Sequence, residues 1–202
     1  MVAIIDYGVG NLFSLKSSLS ALGIPAVVSA DPEVLKQADR LILPGVGAFE
    51  DAAKKLRESG LGAFVKAEAA AGKPILGICL GMQLLFDKSY EFGEHEGLGL
   101  IPGKVTAMRG RIPDELKVPA MGWNALHFVK ESALFEYVKE GDCVYFVHSY
   151  SAVDCEDSTS AVVEYGADIT ASVERGNVYG CQFHPEKSGT VGLSILRAFS
   201  EL

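Results

Sequence analysis

The sequence predicts an α/β fold in which a central, mostly parallel mixed sheet is flanked by helices. Short apolar segments, typical of strands buried on both faces, alternate with helical patterns over the first half of the 202-residue chain. Such alternation indicates a parallel sheet that is covered on both sides. From about residue 100 the pattern becomes rich in strands, which favours a mixed sheet. Because this length suits one well-packed core, we expect residues 1–202 to form a single domain.

The first half of the chain consists of repeated strand, turn and helix patterns. Asn11 is placed to cap a helix whose leucines recur at helical spacing, and Gly23 is placed to end it. Asp31 followed by Pro32 predicts the start of a short second helix. The predicted strands cover residues 2–5, 25–29, 41–43 and 74–78, and two further helices cover 48–59 and 61–71.

The second half of the chain contains mainly strand patterns, followed by a closing helix at about 189–201. The predicted strands lie near 103–108, 123–129, 143–148, 160–165, 169–174 and 177–183. The segments 91–97 and 109–119 are polar and rich in turn-forming residues, so we expect surface loops there.

Charge and hydropathy exclude two classes of partner. The formal net charge of -8 is the opposite of the basic surface that a nucleic-acid-binding protein needs, so no nucleic acid is expected. No apolar run approaches the roughly 18 residues that a bilayer-spanning helix requires, and the N-terminus does not resemble a signal peptide. The expected location is therefore the cytoplasm, with no membrane partner.

The four cysteines are widely spaced, and no Cys-x-x-Cys pair occurs among them. This spacing indicates free thiols, with neither a zinc site nor a disulfide framework. Cys143 and Cys181 lie in apolar strand patterns, so we expect both to be buried packing residues.

Cys79 differs from the other cysteines because it lies between an apolar strand and a helical pattern that runs to Phe86. The flanking residues Gly77 and Gly81 allow the tight turn of a nucleophile elbow, which exposes the central side chain. The partial positive charge of the following helix N-terminus lowers a thiol pKa, and the thiolate is the reactive form. The alternative is a small buried residue at a strand end.

Two distant segments favour the catalytic interpretation of Cys79. His184 and Glu186 follow a predicted strand, and side chains two residues apart in an extended segment share one face. A carboxylate beside an imidazole fixes its tautomer and stabilises the imidazolium, as in a catalytic triad. After the third strand, the turn Pro44 to Gly47 could form an oxyanion hole from the N–H groups of Val46 or Gly47 together with that of Leu80.

The motif around Cys79, Gly-Ile-Cys-Leu-Gly-Met-Gln-Leu-Leu-Phe, together with Gln-Phe-His184-Pro-Glu186, resembles the class I, triad-type glutamine amidotransferases. This resemblance implies a Rossmann- or flavodoxin-like fold, cofactor- and metal-free hydrolysis of L-glutamine, and delivery of the ammonia to a separate synthase. Within that family the whole chain is most similar to the glutaminase subunits of imidazole glycerol phosphate synthase, of histidine biosynthesis. The segments that favour this group are 6–11, 43–49, 121–124 and 145–150.

The resemblance also implies roles for individual residues. Gln83 would bind the substrate glutamine, and Glu91 would lie near its α-amino group. The backbone at Ser149 and Tyr150 would hold the α-amino and carboxylate end of the substrate. The partner would be a cyclase subunit in a heterodimer, and the residues expected to face it are Trp123, Asn124, Tyr145 and Lys187. For Trp123 a core position is the alternative, and His148 is expected to be a structural, hydrogen-bonded histidine.

Three other functions remain open from the sequence. The chain could be a glutaminase that supplies a different synthase, in pyridoxal phosphate, purine or anthranilate synthesis. It could be a cysteine peptidase, which would cleave peptides without a partner and would not need Gln83. It could also be a binding protein that keeps the scaffold without catalysis, although the intact Cys79, His184 and Glu186 count against this.

Overall fold

The computed structural model describes residues 1–202. The helices are α1 (Leu12–Ala21), α2 (Pro32–Lys36), α3 (Phe49–Glu58), α4 (Leu61–Ala70), α5 (Leu80–Leu84) and α6 (Gly189–Glu201). The strands are β1 (Val2–Ile5), β2 (Ala26–Ser29), β3 (Arg40–Leu43), β4 (Ile75–Ile78), β5 (Phe86–Ser89), β6 (His95–Glu96), β7 (Ile101–Ala107), β8 (Ala120–Ala125), β9 (His127–Phe128), β10 (Cys143–His148), β11 (Tyr150–Val153), β12 (Thr159–Glu164), β13 (Asp168–Arg175) and β14 (Val178–Cys181).

The main sheet has eight strands in the order β2-β1-β3-β4-β14-β13-β12-β9. The pairings from β2 to β14 are parallel, and those from β14 to β9 are antiparallel. The predicted α/β class and the mostly parallel mixed sheet are therefore confirmed. In addition, β11-β7-β5-β6 form a four-stranded sheet and β10-β8 a two-stranded one, so the strand-rich second half does not join a single sheet.

Both faces of the main sheet are covered at its centre, which explains why strands such as β1 and β4 are apolar without interruption. In β1, the side chains of Val2 and Ile4 belong to one core cluster with residues of α1 and α6, such as Leu15 and Phe199. The alternate residues of β1 belong to a second cluster with the apolar faces of α3 and α4. Because successive strand residues point to opposite faces, a strand between two such layers needs apolar residues at every position.

The observed elements depart from the sequence prediction in three places. The strands β5, β6 and β11 lie outside the predicted set, and β6 falls inside the segment 91–97 that was expected to be a loop. The helix after Cys79 ends at Leu84 and does not reach Phe86, because Phe86 begins β5 and its ring is fully buried. The strand expected at 123–129 is two strands, β8 and β9, which belong to different sheets.

Candidate active site

The turn after β4 holds Cys79 in an unusual backbone conformation. Its φ of 55° and ψ of -111° lie in a region that residues with a side chain rarely adopt and that is found mainly at functional sites. The N–H of Cys79 donates to the carbonyl of Cys181 at 2.8 Å, and its carbonyl accepts from the N–H of Gln83 at 3.1 Å. Strand β14 and helix α5 therefore hold the turn from both sides, and the predicted strand–turn–helix geometry around the cysteine is confirmed.

Close packing explains the two glycines that flank the cysteine. A Cβ atom added at Gly77 would lie 2.7 Å from the carbonyl oxygen of Gly81, and one added at Gly81 would lie 1.9 Å from the carbonyl oxygen of Leu43. Both distances are far below an ordinary van der Waals contact, so only glycine fits. The elbow is consequently pressed against the end of β3, and the thiol of Cys79 is mostly buried, with 7% exposure.

His184 and Glu186 form a buried pair beside the cysteine. Nδ1 of His184 and Oε1 of Glu186 are 2.9 Å apart, and both side chains are almost inaccessible to solvent. The prediction that this segment is extended is wrong beyond His184. His184 itself is extended, but Pro185–Lys187 form a 3₁₀ turn. The turn brings Glu186 back toward the imidazole ring, so the pair forms through a different backbone geometry.

The environment of His184 favours its charged form. Burial lowers the pKa of His184, but the hydrogen bonds and charges of Cys79 and Glu186 outweigh burial and raise that pKa to about 9. Burial also raises the pKa of Glu186, and its contacts with His184 and Asn11 reverse this and hold the pKa below its ordinary value. The sulfur of Cys79 and the carboxylate of Glu186 thus both stabilise the imidazolium form of His184.

Asn11 contributes to this pair, a role that the sequence pattern does not predict. It occupies the N-cap position of α1 as predicted, but its side chain makes no capping hydrogen bond to the helix. Instead Nδ2 of Asn11 donates to Oε1 of Glu186 at 3.1 Å, across 175 positions of sequence. At the second predicted cap, in contrast, Asp31 accepts from the N–H of Glu33 and caps α2 as expected. The capping pattern alone gave no signal that could distinguish these two roles.

The turn after β3 lies directly against the elbow. A Cβ atom added at Gly45 would lie 2.6 Å from the N–H nitrogen of Gly81, and Gly47 has a φ of 91°, which favours glycine. Tyr7 fixes the start of this turn because its hydroxyl donates to the carbonyl of Pro44 at 2.7 Å. The structure therefore brings the turn and Leu80, the first residue of α5, to the same side of Cys79.

A cleft of about 550 Å³ opens over the thiol. It is lined by most of the residues that the sequence analysis selected, namely Val46, Gly47, Cys79, Leu80, Gln83, Glu91, Ser149, Tyr150, His184 and Lys187. Glu186 lies behind His184, and Asn11 also borders the cleft. Trp123, Asn124 and Tyr145 lie outside it. The predicted nucleophile, base, oxyanion turn and substrate residues are thus gathered in one place.

The side-chain amides of Gln83 and Gln182 form a chain of hydrogen bonds from the cleft to the sulfur of Cys79. Nε2 of Gln83 donates to the carbonyl of Tyr150 at 3.1 Å and to Oε1 of Gln182 at 3.0 Å. Nε2 of Gln182 in turn donates to Sγ of Cys79 at 3.6 Å. No role for Gln182 was predicted from the sequence, although it lies in the same motif as His184. Glu91 is held by the N–H of Phe49, which donates to its Oε2 at 2.7 Å.

His148 and the cysteines other than Cys79 differ in how far they are buried. His148 is buried, its Nδ1 lies 2.8 Å from the carbonyl of Tyr150, and burial lowers its pKa to about 4, in keeping with a structural histidine. All four cysteines are free thiols. Cys181 is buried as predicted, but the prediction for Cys143 is wrong: it begins β10 on the outward face and is exposed.

The residues expected to face a partner include an aromatic pair, Trp123 and Tyr145, of which Trp123 is exposed and Tyr145 half-buried. Trp123 is 55% exposed, so the alternative of a core tryptophan is wrong. Its ring lies 6.1 Å from that of Tyr145 in an edge-to-face arrangement, across the paired strands β8 and β10. Asn124 is half-buried on the same strand as Trp123. Lys187 is separate from this pair, at the edge of the cleft.

The chemistry of the cleft is that of nucleophilic acyl transfer. A thiol in an elbow, next to an imidazole that a carboxylate orients, has the composition of a cysteine hydrolase. No group of three or more histidine, cysteine, aspartate or glutamate side chains converges in a way that could hold a metal ion. None of the helices is long and apolar enough to cross a membrane.

Comparison with known proteins agrees with this chemistry. The chain is 52% identical over 205 residues to the imidazole glycerol phosphate synthase subunit HisH of Bacillus licheniformis, covering 100% of this chain and 96% of the relative. It is 53% identical over 202 residues to the subunit of the same name from Geobacillus kaustophilus, covering 98% and 95%.

Solved structures show the same fold at lower identity. A crystal structure of a glutamine amidotransferase superposes with a TM-score of 0.77 at 22% identity and covers 100% of this chain and 98% of that one. The structure of PurLQS from Thermotoga maritima gives a TM-score of 0.75 at 20% identity, covering 98% and 96%. The family model described as glutamine amidotransferase class-I matches residues 3–201. The chain therefore belongs to the class I glutamine amidotransferase family.

Proposed function

We propose that the chain hydrolyses L-glutamine to glutamate and ammonia, with Cys79 as the nucleophile and His184 and Glu186 as the other members of a catalytic triad. The observation that carries the proposal is the elbow of Cys79 in one cleft with the buried His184–Glu186 pair. In support, the pKa of His184 is raised by both neighbours, which suits an imidazolium that donates a proton to a leaving group.

The reaction proceeds in two steps. Sγ of Cys79 attacks the side-chain amide carbon of glutamine, and the N–H groups of Val46 or Gly47 and of Leu80 stabilise the oxyanion. His184 gives its proton to the departing nitrogen, so ammonia leaves and a γ-glutamyl thioester remains. His184 then takes a proton from water, which attacks the thioester and releases glutamate. The reaction requires neither a metal nor an organic cofactor.

The hydrogen bonds of the cleft restrict how the substrate binds. Both N–H groups of Gln83 are already used, by Tyr150 and Gln182. Gln83 can therefore meet the substrate only through its carbonyl oxygen, which accepts from an amide or ammonium group. Glu91 keeps Oε1 for the α-ammonium group because its Oε2 is bound to the N–H of Phe49. The backbone at Ser149 and Tyr150 holds the α-amino and carboxylate end.

The ammonia serves a cyclase subunit that makes imidazole glycerol phosphate and aminoimidazole carboxamide ribotide in histidine biosynthesis. The support is the identity of about half of all residues to subunits of imidazole glycerol phosphate synthase over nearly the whole length. These relatives do not favour a pyridoxal phosphate, purine or anthranilate synthase as the partner. We infer that this chain, as a single domain over residues 1–202, forms a heterodimer with the cyclase subunit in the cytoplasm.

Trp123, Asn124, Tyr145 and Lys187 form the proposed partner face. The exposed ring of Trp123 is the type of residue that anchors protein interfaces. We also expect low glutaminase activity in the isolated chain, because the turn at Gly45, Val46 and Gly47 would form the oxyanion hole only when the loaded cyclase is bound.

The test measures glutamate release by the wild type and by Cys79→Ala, with and without the cyclase and its ligand. We expect activity only in the wild type, and a large increase when the loaded cyclase is present. Activity that survives in Cys79→Ala would exclude the proposed nucleophile. Activity of the wild type with a different synthase, and none with the cyclase, would exclude the proposed pathway.

A further inference from the structure

Gln182 is fully buried beside the reactive sulfur, yet it has no part in the two steps of the proposed hydrolysis. It lies between two of the residues that the mechanism uses. Its Oε1 accepts from Nε2 of Gln83, and its Nε2 lies 3.6 Å from Sγ of Cys79, an ordinary distance for a hydrogen bond to sulfur. A buried polar side chain with both ends engaged has a defined orientation, and here one end is directed at the atom that forms the new bond.

We propose that Gln182 is a further catalytic residue, which donates an N–H to the sulfur of Cys79 and stabilises the thiolate. The proposal rests on the proposed function of Cys79 as the nucleophile. An N–H that points at a sulfur is a better partner for the thiolate than for the thiol, because the charged form is the stronger acceptor. The donor therefore favours the form of Cys79 that attacks the substrate.

The direction of this hydrogen bond follows from the network itself. The backbone carbonyl of Tyr150 can only accept, so the group of Gln83 that faces it must be the NH₂. The same NH₂ faces Gln182, which must therefore present its oxygen to Gln83. The remaining group of Gln182, directed at Cys79, is then its NH₂. A reversed amide at Gln182 would place two donors against each other.

The other groups near the sulfur do not supply this donor. The hydroxyl of Tyr7 donates to the carbonyl of Pro44, and burial, followed by the charge of Cys79, raises the Tyr7 pKa. Burial, followed by the charges of Glu186 and Cys79, raises the pKa of Cys181 well above its ordinary value, so it remains a neutral thiol. His184 is the cationic neighbour, and its proton is transferred during the reaction. Gln182 is the neutral donor, which stays in place through both steps.

The test measures the thiol directly and needs no turnover. Iodoacetamide alkylates thiolates with loss of iodide, and mass spectrometry of the peptides gives the rate at Cys79 relative to the exposed Cys143 in the same sample, between pH 5 and 9. Labelling of the buried Cys155 and Cys181 reports unfolding in that sample. The result is independent of glutamate release, so it is distinguishable from failure of the proposed function.

Two variants separate the two ends of the Gln182 amide. Gln182→Glu keeps an oxygen acceptor for Gln83 but has no N–H for the sulfur, whereas Gln182→Met loses both. The matched control is Ser160→Ala, which removes a buried hydrogen bond to Ser172 (3.0 Å) away from the cleft. If Gln182→Met exposes the buried cysteines, the neutral Gln182→Leu, which also loses both ends of the amide, takes its place.

We expect the ratio of Cys79 to Cys143 alkylation at pH 7 to fall about tenfold in both Gln182 variants, as for the loss of one hydrogen bond to a charged group. The control should keep the wild-type ratio. Ratios within about twofold of wild type in both variants would overturn the proposal. A fall in Gln182→Met alone would also overturn it, because the anchoring of Gln83 would then be the cause, and a fall in Gln182→Glu alone would indicate charge repulsion instead.

Discussion

Replacement of Glu186 by Gln should destabilise the protein by an amount that depends on pH in a defined way. The carboxylate of Glu186 stabilises the protonated form of His184 at 2.9 Å inside the protein. The amide of the Glu186→Gln variant would keep an oxygen for His184 and Asn11 but would lose the charge. We therefore expect the substitution to destabilise the fold at acidic pH and to have little effect at alkaline pH. The comparison is best made in a Cys79→Ala background, which removes the other group that raises the pKa of His184.

The magnitude follows from the pKa of His184. Burial lowers this pKa, but the contacts with Cys79 and Glu186 raise it from 6.5 to about 9, which corresponds to roughly 3 kcal/mol. Because two groups share this effect, the part of Glu186 is about 1–2 kcal/mol. The folded pKa lies above the unfolded value, so this stability is fully present below the unfolded pKa of 6.5 and is lost as the pH rises through the folded pKa.

At high pH the charge of Glu186 is itself unfavourable. Its Oε2 is buried without a hydrogen-bond partner, so the carboxylate is incompletely compensated once His184 is neutral. The assay is urea unfolding of Cys79→Ala and Cys79→Ala/Glu186→Gln at pH 6, 8 and 10. The difference in unfolding free energy should be about 1–2 kcal/mol larger at pH 6 than at pH 10. A difference that is constant, or that grows with pH, would refute the reasoning.

Three further substitutions test other parts of the site. Asn11→Leu removes the N–H that donates to Glu186. In the complex with the loaded cyclase, kcat/KM for glutamine should fall about tenfold with KM unchanged. Unaltered kinetics would show that Asn11 has no role in catalysis. Gly81→Ala places a methyl group 1.9 Å from the carbonyl oxygen of Leu43. The free energy of unfolding, measured by urea titration, should therefore fall by about 3 kcal/mol. An unfolding midpoint equal to that of the wild type would contradict this expectation. Trp123→Ala should weaken cyclase binding by about 2 kcal/mol in calorimetric titration, at an unchanged melting temperature; equal affinity would place the interface elsewhere.

The sequence predicted those elements whose local residue pattern directly reflects where they lie in the fold. Strands such as β1 and β4 lie between two helical layers, so they appear in the sequence as uninterrupted apolar runs. Gly77 and Gly81 leave room for the tight turn, and both lie within two residues of Cys79, so the elbow was visible from the motif. The closing helix α6 was recognisable for a similar reason, because its buried face recurs at helical spacing.

The features that the sequence did not predict depend on contacts between distant segments. Strand β5 has only four residues and continues a helical pattern, and its pairings with β6 and β7 distinguish it from a helix end. Asn11 fits a helix cap equally well, and its partner Glu186 is 175 positions away. Cys143 lies in an apolar run, but the alternation of β10 turns its side chain outward while Val144 is buried.

The order of the strands explains why these distant residues meet. β3, β4 and β14 are adjacent and parallel, so their carboxyl ends reach the same edge of the sheet, where ligands bind in open α/β sheets. Cys181 is paired in register with Ile78, so the next residues, Gln182 and Cys79, lie side by side just beyond the ends of these neighbouring strands. The same register on the other side places the turn after Leu43 against the elbow.

This register of the sheet determines which residues lie next to the thiol of Cys79. A slip of one residue between β4 and β14 would reverse the direction of every side chain on the moved strand and would remove Gln182 from the sulfur. The hydrogen bond from Cys79 to Cys181 opposes such a slip at the point where β4 ends. The strained backbone of Cys79 is thus held between two parallel strands, and the fold fixes the sulfur before any substrate binds.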